Sequence, residues 1–132
     1  MPFIHVRIGG PSLTSEQTSH LQAAITNMMA SILGKRADLT SVFVEQTSTS
    51  GWSIGTLKPT VTAHIDTKIT AGSNTPDEKR QFIAEAHKLL KALLGPELPT
   101  ATYVIIDEIP GDSWGYSGLS QAQRASEALS HH

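Results

Sequence analysis

Residues 2–45 read PFIHVRIGGPSLTSEQTSHLQAAITNMMASILGKRADLTSVFVE, and this stretch decides the fold. Its first seven residues alternate apolar and polar side chains, which predicts a strand. Residues 14–17 form a capping box that begins a helix, and the Leu-Gly pair at 33–34 ends it, since glycine readily takes the left-handed conformation. Residues 40–45 predict a second strand. The helix carries one apolar stripe, made of Leu21, Ala24, Ile25, Met28, Met29 and Ile32.

The second half of the chain repeats this pattern. A strand is predicted over Pro59–Ile65, and a helix begins at Thr75, where Pro76 takes the first helical position and needs no N–H partner. Leu94-Gly95 ends this helix, and Ala101–Asp107 predicts the next strand. Its apolar stripe consists of Phe82, Ile83, Ala86, Leu89, Leu90 and Leu93.

The repeat predicts an α+β fold. Each β-α-β unit gives a parallel strand pair, and two units join into a four-stranded sheet with both helices on one face. The internal repeat covers residues 2–56 and 59–118, each half closing on a turn with tryptophan and glycine, and residues 119–132 form a C-terminal tail. With only two helices, the other sheet face needs cover, which we expect from further copies of the chain in a closed ring. The alternative is a monomer with a polar outer face.

The composition favours one soluble domain and excludes several kinds of site. The chain has 132 residues, 39% of them hydrophobic and 17% charged, which suits a single domain over residues 1–132. A formal charge of -2 without a basic stripe argues against a nucleic-acid partner. The absence of cysteine excludes disulfides and thiolate chemistry, and the six histidines lack metal-ligand spacing, so we expect neither metal nor cofactor. No signal peptide or membrane span is readable, so we expect a cytoplasmic protein with no membrane partner.

Pro2 is the candidate base. While Met1 is attached, the Pro2 nitrogen belongs to an amide, with no proton to give and a delocalised lone pair. Removal of Met1 would make it a secondary amine. An α-amino group has a pKa near ~8, and burial in an apolar pocket lowers the pKa of an amine, so a buried Pro2 would be largely neutral at neutral pH. This is the state that a general base or nucleophile requires. The alternative is that Met-Pro is only a common chain start.

These features resemble the tautomerase superfamily, whose members are built from β-α-β units and carry a catalytic amino-terminal proline. The resemblance covers residues 2 to about 118. It rests on Pro2, on the run LTSVFV at residues 39–44 and on the aromatic-glycine endings at 52–55 and 114–118. The chain is similar to two subunits of 4-oxalocrotonate tautomerase fused in tandem, with the architecture of macrophage migration inhibitory factor. The resemblance implies a homotrimer with active sites near subunit boundaries.

The resemblance also implies that Pro2 shuttles a proton between two carbon atoms of a keto-enol pair. Pro59 is expected to match Pro2 in the repeat, but its nitrogen lies inside the chain and stays an imide, so one catalytic proline per chain follows. The two carboxylate-binding arginines of 4-oxalocrotonate tautomerase have no counterpart, and Phe43 and Tyr103 occupy the strand position in the two halves. Neither side chain makes the bidentate contact of a guanidinium group with a carboxylate. A dicarboxylate held in the usual manner is therefore not expected.

Five further residues are candidate substrate contacts by resemblance. Lys35 and Lys68 resemble lysines of macrophage migration inhibitory factor, one of which contacts substrate acid groups. Lys35 fits equally well as a cation at a helix C-terminus, and Lys68 as a surface residue. Tyr103 resembles a pocket tyrosine whose hydroxyl can donate to an enolate oxygen, or is a half-buried strand residue. Trp114 and Tyr116 resemble aromatic residues that wall the pocket, although a tryptophan here also suits a subunit interface.

We expect a cofactor-free enzyme in which Pro2 removes a proton beside the carbonyl of a small carbonyl or 2-keto acid substrate and returns it elsewhere. Lys35 or Tyr103 would stabilise the oxygen that becomes negative. Two alternatives stay open. The first is proline-dependent hydration or dehalogenation of a small unsaturated acid, which is weakened because Met29 stands where a histidine would fall. The second is a binding protein that kept the scaffold without the chemistry, which retention of Met1 would indicate.

Overall fold

The computed structural model describes residues 2–130, which form a four-stranded sheet, three helices and a two-stranded hairpin. Short 3-10 turns cover Ala37–Leu39 and Thr49–Gly51. No helix among the described residues is long and apolar enough to cross a membrane. The elements are β1 Phe3–Gly9, α1 Ser15–Ser31, β2 Ser41–Thr47, β3 Thr62–Thr70, α2 Pro76–Leu94, β4 Tyr103–Ile109, β5 Gly115–Tyr116, β6 Leu119–Ser120 and α3 Gln121–Ser130.

The sheet confirms the predicted α+β architecture of two joined β-α-β units. Its strand order is β2-β1-β3-β4. The pairs β1-β2 and β3-β4 are parallel, as a crossover helix requires. The two units meet at β1 and β3, which run antiparallel with Phe3 opposite Lys68 and Gly9 opposite Thr62. The first strand of each unit therefore lies in the centre of the sheet, and the second strand of each unit forms an edge.

One face of the sheet is buried beneath α1 and α2. Ile4, Val6 and Ile8 alternate inward on β1 and are fully buried, as expected for alternate residues on one face of a strand. The helix stripes are confirmed in their main positions, but Ile83 is 41% exposed while Phe82 beside it is fully buried. The core side chains contributed by the helices are Leu21, Ile25, Met29, Phe82, Ala86 and Leu90.

Both predicted capping boxes are present. The hydroxyl of Thr14 accepts from the backbone N–H of Gln17 at 3.1 Å, and the Gln17 side chain accepts from the Thr14 N–H at 2.9 Å. Thr75 and Glu78 make the same reciprocal pair at 3.1 and 2.8 Å. Each box satisfies two N–H groups that a helix start leaves without partners.

The predicted strand over Pro59–Ile65 is wrong in its register, because β3 covers Thr62–Thr70. The helices α1 and α2 begin 61 residues apart, at Ser15 and Pro76, and this spacing makes Ala63 the equivalent of Pro2. Pro59 lies in the segment that connects the two halves. The error has a physical origin. A strand pattern has a period of two, so a shift of four residues leaves every side chain on the same face of the sheet.

The prediction of only two helices is also wrong, because the segment 119–132, expected to be a tail, contains β6 and α3. Helix α3 begins after a third capping box. The Ser120 hydroxyl accepts from the Gln123 N–H at 3.0 Å, and the Gln123 side chain accepts from the Ser120 N–H at 2.8 Å. The pattern Ser-x-x-Gln at residues 120–123 signals this helix start in the sequence.

The outer face of the sheet is partly apolar and exposed in the single chain. Phe43 is 50% exposed and Tyr103 68% exposed, and Ile105 is exposed as well. The rings of His5 and Phe43 stack with their centres 4.9 Å apart and their planes 6° from parallel. Charged side chains, among them Arg7, Glu45 and Asp107, lie on the same face, which is therefore partly apolar and partly charged.

Candidate active site

A cavity of about 670 Å³ opens beside the first residue of β1. Three parts of the chain build it: the start of β1 with the end of β3 beside it, the segment that leads into β2, and the β5-β6 hairpin with the start of α3. We call it the Pro2 cavity. Its lining residues are Pro2, Phe3, Asp38, Leu39, Thr40, Ser41, Lys68, Trp114, Gly115, Tyr116 and Gln121.

Pro2 itself is buried and is held in place by the sheet. Its carbonyl oxygen accepts from the backbone N–H of Ser41 at 3.2 Å, which extends the pairing of β1 with β2 by one residue. Leu39 and Trp114 supply apolar surface to the same cavity. The structure thus buries residue 2, and burial favours the neutral form of an amine.

Four of the six predicted site residues meet at this cavity: Pro2, Lys68, Trp114 and Tyr116. Lys68 lies directly opposite Phe3 in the β1-β3 register. Its Nζ donates to Asp107 Oδ2 at 2.9 Å and lies 3.5 Å from Asp66 Oδ2. The hydrogen bond to Asp107 is the main reason that the pKa of Lys68 lies above its usual value. The ammonium group is therefore charged and positioned by two carboxylates beside the cavity.

The hairpin supplies the aromatic wall, and α3 fixes it. Gly115 allows the tight approach of the two hairpin strands, because a Cβ there would lie 2.0 Å from the Leu119 carbonyl oxygen. Arg124 on α3 donates from Nη2 to the Tyr116 carbonyl oxygen at 2.8 Å, and its guanidinium carbon lies 3.8 Å from the centre of the Tyr116 ring. This geometry is a cation–π contact. The aromatic wall therefore depends on a helix outside the two β-α-β units.

Lys35 does not line the Pro2 cavity. Its Nζ donates to the Ser73 hydroxyl at 2.8 Å, and its backbone N–H closes the end of α1 on the Met29 carbonyl. Burial lowers the pKa of Lys35, while the carboxylates of Glu78 and Glu108 act in the opposite direction. In this chain Lys35 therefore joins the end of α1 to the turn before α2.

Tyr103 is likewise not at the Pro2 cavity. It lies on edge strand β4 and lines a separate cavity of about 340 Å³. We call this the Ala63 cavity. It is lined by Trp52, Ser53, Ile54, Gly55, Ala63, His64, Ala101 and Tyr103. Tyr103, which was expected at the site of Pro2, therefore lines a second cavity together with Trp52, the counterpart of Trp114 in the repeat.

Several residues of the Pro2 cavity were not predicted from the sequence. Asp38 lines it and receives a fork from Arg36, with Nε 3.1 Å from Oδ1 and Nη2 2.6 Å from Oδ2. Ser41 and Gln121 contribute polar side chains. The capping box before α3 was the available signal for Gln121 and Arg124, whereas nothing in the local pattern marks Asp38. Among residues 2–130, no group of three or more histidine, aspartate or glutamate side chains is arranged to hold a metal ion.

Comparison with known sequences agrees with the duplicated architecture. The profile of the family described as "Tautomerase enzyme" matches residues 2–60 and again residues 64–124. The chain is also 39% identical over 64 residues to the "Probable tautomerase K2" of Dickeya dadantii (strain 3937), a match that covers 48% of this chain and 94% of that protein. The relative thus corresponds to about one half of the chain.

Comparison with solved structures shows the same fold over nearly the whole chain. A fused 4-OT, solved as an asymmetric trimer, has a TM-score of 0.80 and 21% identity over 92% of this chain and 98% of that one. A macrophage migration inhibitory factor-like protein from Entamoeba histolytica has a TM-score of 0.74 and 17% identity, covering 90% of this chain and 97% of that one. At these identities the likeness concerns the fold alone.

Proposed function

The chain belongs to the tautomerase family, and we propose that it is a cofactor-independent tautomerase whose general base is Pro2, freed by removal of Met1. The substrate class is a small carbonyl compound or 2-keto acid that passes between keto and enol forms. The observation that carries the proposal is the placement of Pro2. It is buried, and it lines the same cavity as a positioned ammonium group and an aromatic wall.

The reaction requires one base and one oxygen-stabilising group. The neutral Pro2 amine takes a proton from a carbon or hydroxyl beside the carbonyl, and the electron pair moves to the substrate oxygen, which becomes negative. Lys68 and Tyr116 are the lining residues that we assign to stabilise that charge, by the Lys68 ammonium group and the Tyr116 hydroxyl. The protonated amine then returns its proton to another atom of the same substrate. Atoms and electrons balance, because nothing leaves the substrate and no co-reactant enters.

Lys68 suits an acidic substrate in spite of its two carboxylate neighbours. An ammonium group has three N–H donors, and Asp107 and Asp66 engage two of them at 2.9 and 3.5 Å. These ion pairs are partly exposed to solvent, so each holds Lys68 only weakly. A substrate carboxylate or enolate at the third position would therefore add a charge-assisted hydrogen bond. Lys35 and Tyr103 have no place in this step within one chain, because neither lines the cavity.

We further propose that the working form is a homotrimer. The exposed aromatic and apolar side chains of the outer sheet face, Phe43, Tyr103 and Ile105, support association of this face with further copies. The fused 4-OT described above forms an asymmetric trimer. Sedimentation velocity at several protein concentrations tests this proposal, and a monomer throughout the range would contradict it.

The test of the base compares two prolines in the same protein. We expect the wild-type chain to ketonise phenylenolpyruvate faster than buffer and the Pro2→Ala variant to lose most of this activity. Pro59→Ala is the matched control, since the Pro59 nitrogen is an amide in any case, and its activity should equal that of the wild type. Intact-mass measurement must show loss of Met1. Equal activity in Pro2→Ala and wild type, or quantitative retention of Met1 in an active protein, would contradict the role of Pro2.

A further inference from the structure

We propose that the Ala63 cavity is a second ligand site. It binds small planar acids of the kind proposed as substrates of the Pro2 cavity, but it does not convert them. The identity of that ligand class rests on the proposed function. The existence of the site rests on the internal duplication of the chain. It would give each chain one reactive cavity and one cavity that only binds.

The Ala63 cavity occupies the same place in its half of the fold as the Pro2 cavity does in the other. The helices α1 and α2 begin 61 residues apart, and the second strands, which begin at Ser41 and Tyr103, are 62 apart. Phe3 pairs with Ser41 and His64 pairs with Tyr103, so the first strands correspond at a spacing of 61. At these spacings, seven of the eight lining residues correspond to residues that line the Pro2 cavity. The pairs are Ala63 with Pro2, His64 with Phe3, Ala101 with Leu39, Tyr103 with Ser41, Trp52 with Trp114, Ser53 with Gly115, and Ile54 with Tyr116.

The cation beside the cavity is duplicated too. In the β1-β3 register, Arg7 lies opposite His64 as Lys68 lies opposite Phe3. Arg7 Nε donates to Glu45 Oε1 at 3.2 Å, the counterpart of the contact between Lys68 and its edge-strand carboxylate. Lys68 lines the Pro2 cavity, whereas Arg7 does not line the Ala63 cavity and lies on the neighbouring strand, opposite the lining residue His64. A cation held by an edge-strand carboxylate thus occupies the equivalent position in both halves, which favours an acidic ligand at both places.

The Ala63 cavity lacks the base of the Pro2 cavity but retains groups that can bind a ligand. Ala63 has no base, because its nitrogen is a backbone amide and its side chain a methyl group. Trp52 remains as an aromatic wall, His64 and Ser53 add polar side chains where the Pro2 cavity has Phe3 and Gly115, and Tyr103 stands in the place of Ser41. The volume of about 340 Å³ is half that of the Pro2 cavity and lies at the lower end for ligand sites. This size suits a ligand of one ring or a short conjugated chain.

The two cavities can be observed separately because the chain has two tryptophans and each cavity has one. Sorbate is the probe, a planar conjugated acid with no enol that absorbs well below the tryptophan excitation band. In a Pro2→Ala/Trp114→Phe protein excited at the red edge of the tryptophan band, where tyrosine does not absorb, the emission comes from Trp52. We expect sorbate to change its emission saturably. In a Pro2→Ala/Trp52→Phe protein, Trp114 should respond with its own affinity. Sorbate without a saturable effect on Trp52 would overturn the proposal.

Ala101→Leu tests whether the Trp52 response comes from the Ala63 cavity, because the larger side chain narrows that cavity alone. We expect this change to weaken the sorbate response of Trp52 by about tenfold or more and to leave that of Trp114 within about twofold. Ala84→Leu, at an exposed position on α2, is the matched control. Equal weakening of both tryptophan responses, or of neither, would overturn the assignment. The titrations do not depend on turnover. If the wild-type protein has no tautomerase activity but Trp52 still responds to sorbate, the proposed function is contradicted and the second ligand site is not.

Discussion

Arg124 holds Tyr116 by two contacts at once, a hydrogen bond of 2.8 Å to its carbonyl oxygen and a guanidinium group 3.8 Å from its ring centre. The backbone and the side chain of Tyr116 are thus both fixed from α3. Since Tyr116 lines the cavity that contains Pro2, the position of α3 affects the shape of the candidate active site.

Arg124→Met should lower kcat/KM by about tenfold, because a cation–π contact and a charged hydrogen bond that order the cavity wall are lost. The loss should be smaller in Arg124→Lys, which keeps the charge over the ring. Arg80→Met is the control, since Arg80 pairs with Asp77 on the exposed side of α2. Steady-state kinetics on phenylenolpyruvate measure all three. Wild-type activity in Arg124→Met would show that α3 does not order the wall.

Gly115→Ala should disrupt the hairpin, because the new Cβ would lie 2.0 Å from the Leu119 carbonyl oxygen and 2.7 Å from its carbon. We expect a loss of about 1–3 kcal/mol of stability from this overlap and a large loss of activity, since Trp114 and Tyr116 flank the glycine. Gly51→Ala meets nothing within 4 Å and serves as the control. Urea unfolding and kinetics report the two effects. A Gly115→Ala protein as stable and active as Gly51→Ala would contradict the prediction.

Phe82 and Ile83 are neighbours in the predicted stripe of α2, yet only Phe82 is fully buried, while Ile83 is 41% exposed. Phe82→Ala should therefore cost about 3–5 kcal/mol of unfolding free energy through lost burial and a cavity. Ile83→Ala should cost about 1 kcal/mol or less. Equal losses in urea denaturation would mean that Ile83 is covered in the folded protein, as it would be at a contact between copies of the chain.

Glu78 gives a pH dependence whose sign follows from its capping contacts. The backbone N–H of Thr75, together with Asn74, holds the pKa of this carboxyl below its usual value. The stabilising contribution is therefore fully present above the unfolded value of about 4.3 and is lost as the pH falls through the lower folded value. Glu78→Gln should flatten the decline of the urea midpoint on acidification from about pH 5, relative to wild type and to the exposed control Glu97→Gln. Parallel declines in all three would refute the assignment.

The sequence predicted the fold because two independent signals agreed in each half. Alternating apolar and polar residues predicted the strands, and the capping boxes at Thr14 and Thr75 predicted helix starts that the structure confirms. The register of β3 was wrong because the strand period cannot resolve an even shift. The candidate site residues other than Pro2 were predicted only from the family resemblance. Lys68 and Tyr116 reach Pro2 through strand pairing and a hairpin, and such long-range placement has no local signature, whereas Lys35 and Tyr103 lie elsewhere.

The peptide bond before Ala63 limits what substitution can do at the second cavity. Ala63→Pro would only create another imide, as at Pro59, so no substitution restores a free backbone amine there. A secondary backbone amine like that of a terminal Pro2 would appear only if the chain were cut between its halves and the new end began with proline. Because the two halves are one chain, only the first half can have a terminal backbone amine, and no point mutation changes this difference. His64 and Tyr103 line the second cavity where Phe3 and Ser41 line the first, so the two halves differ in their side chains as well as in the state of this nitrogen.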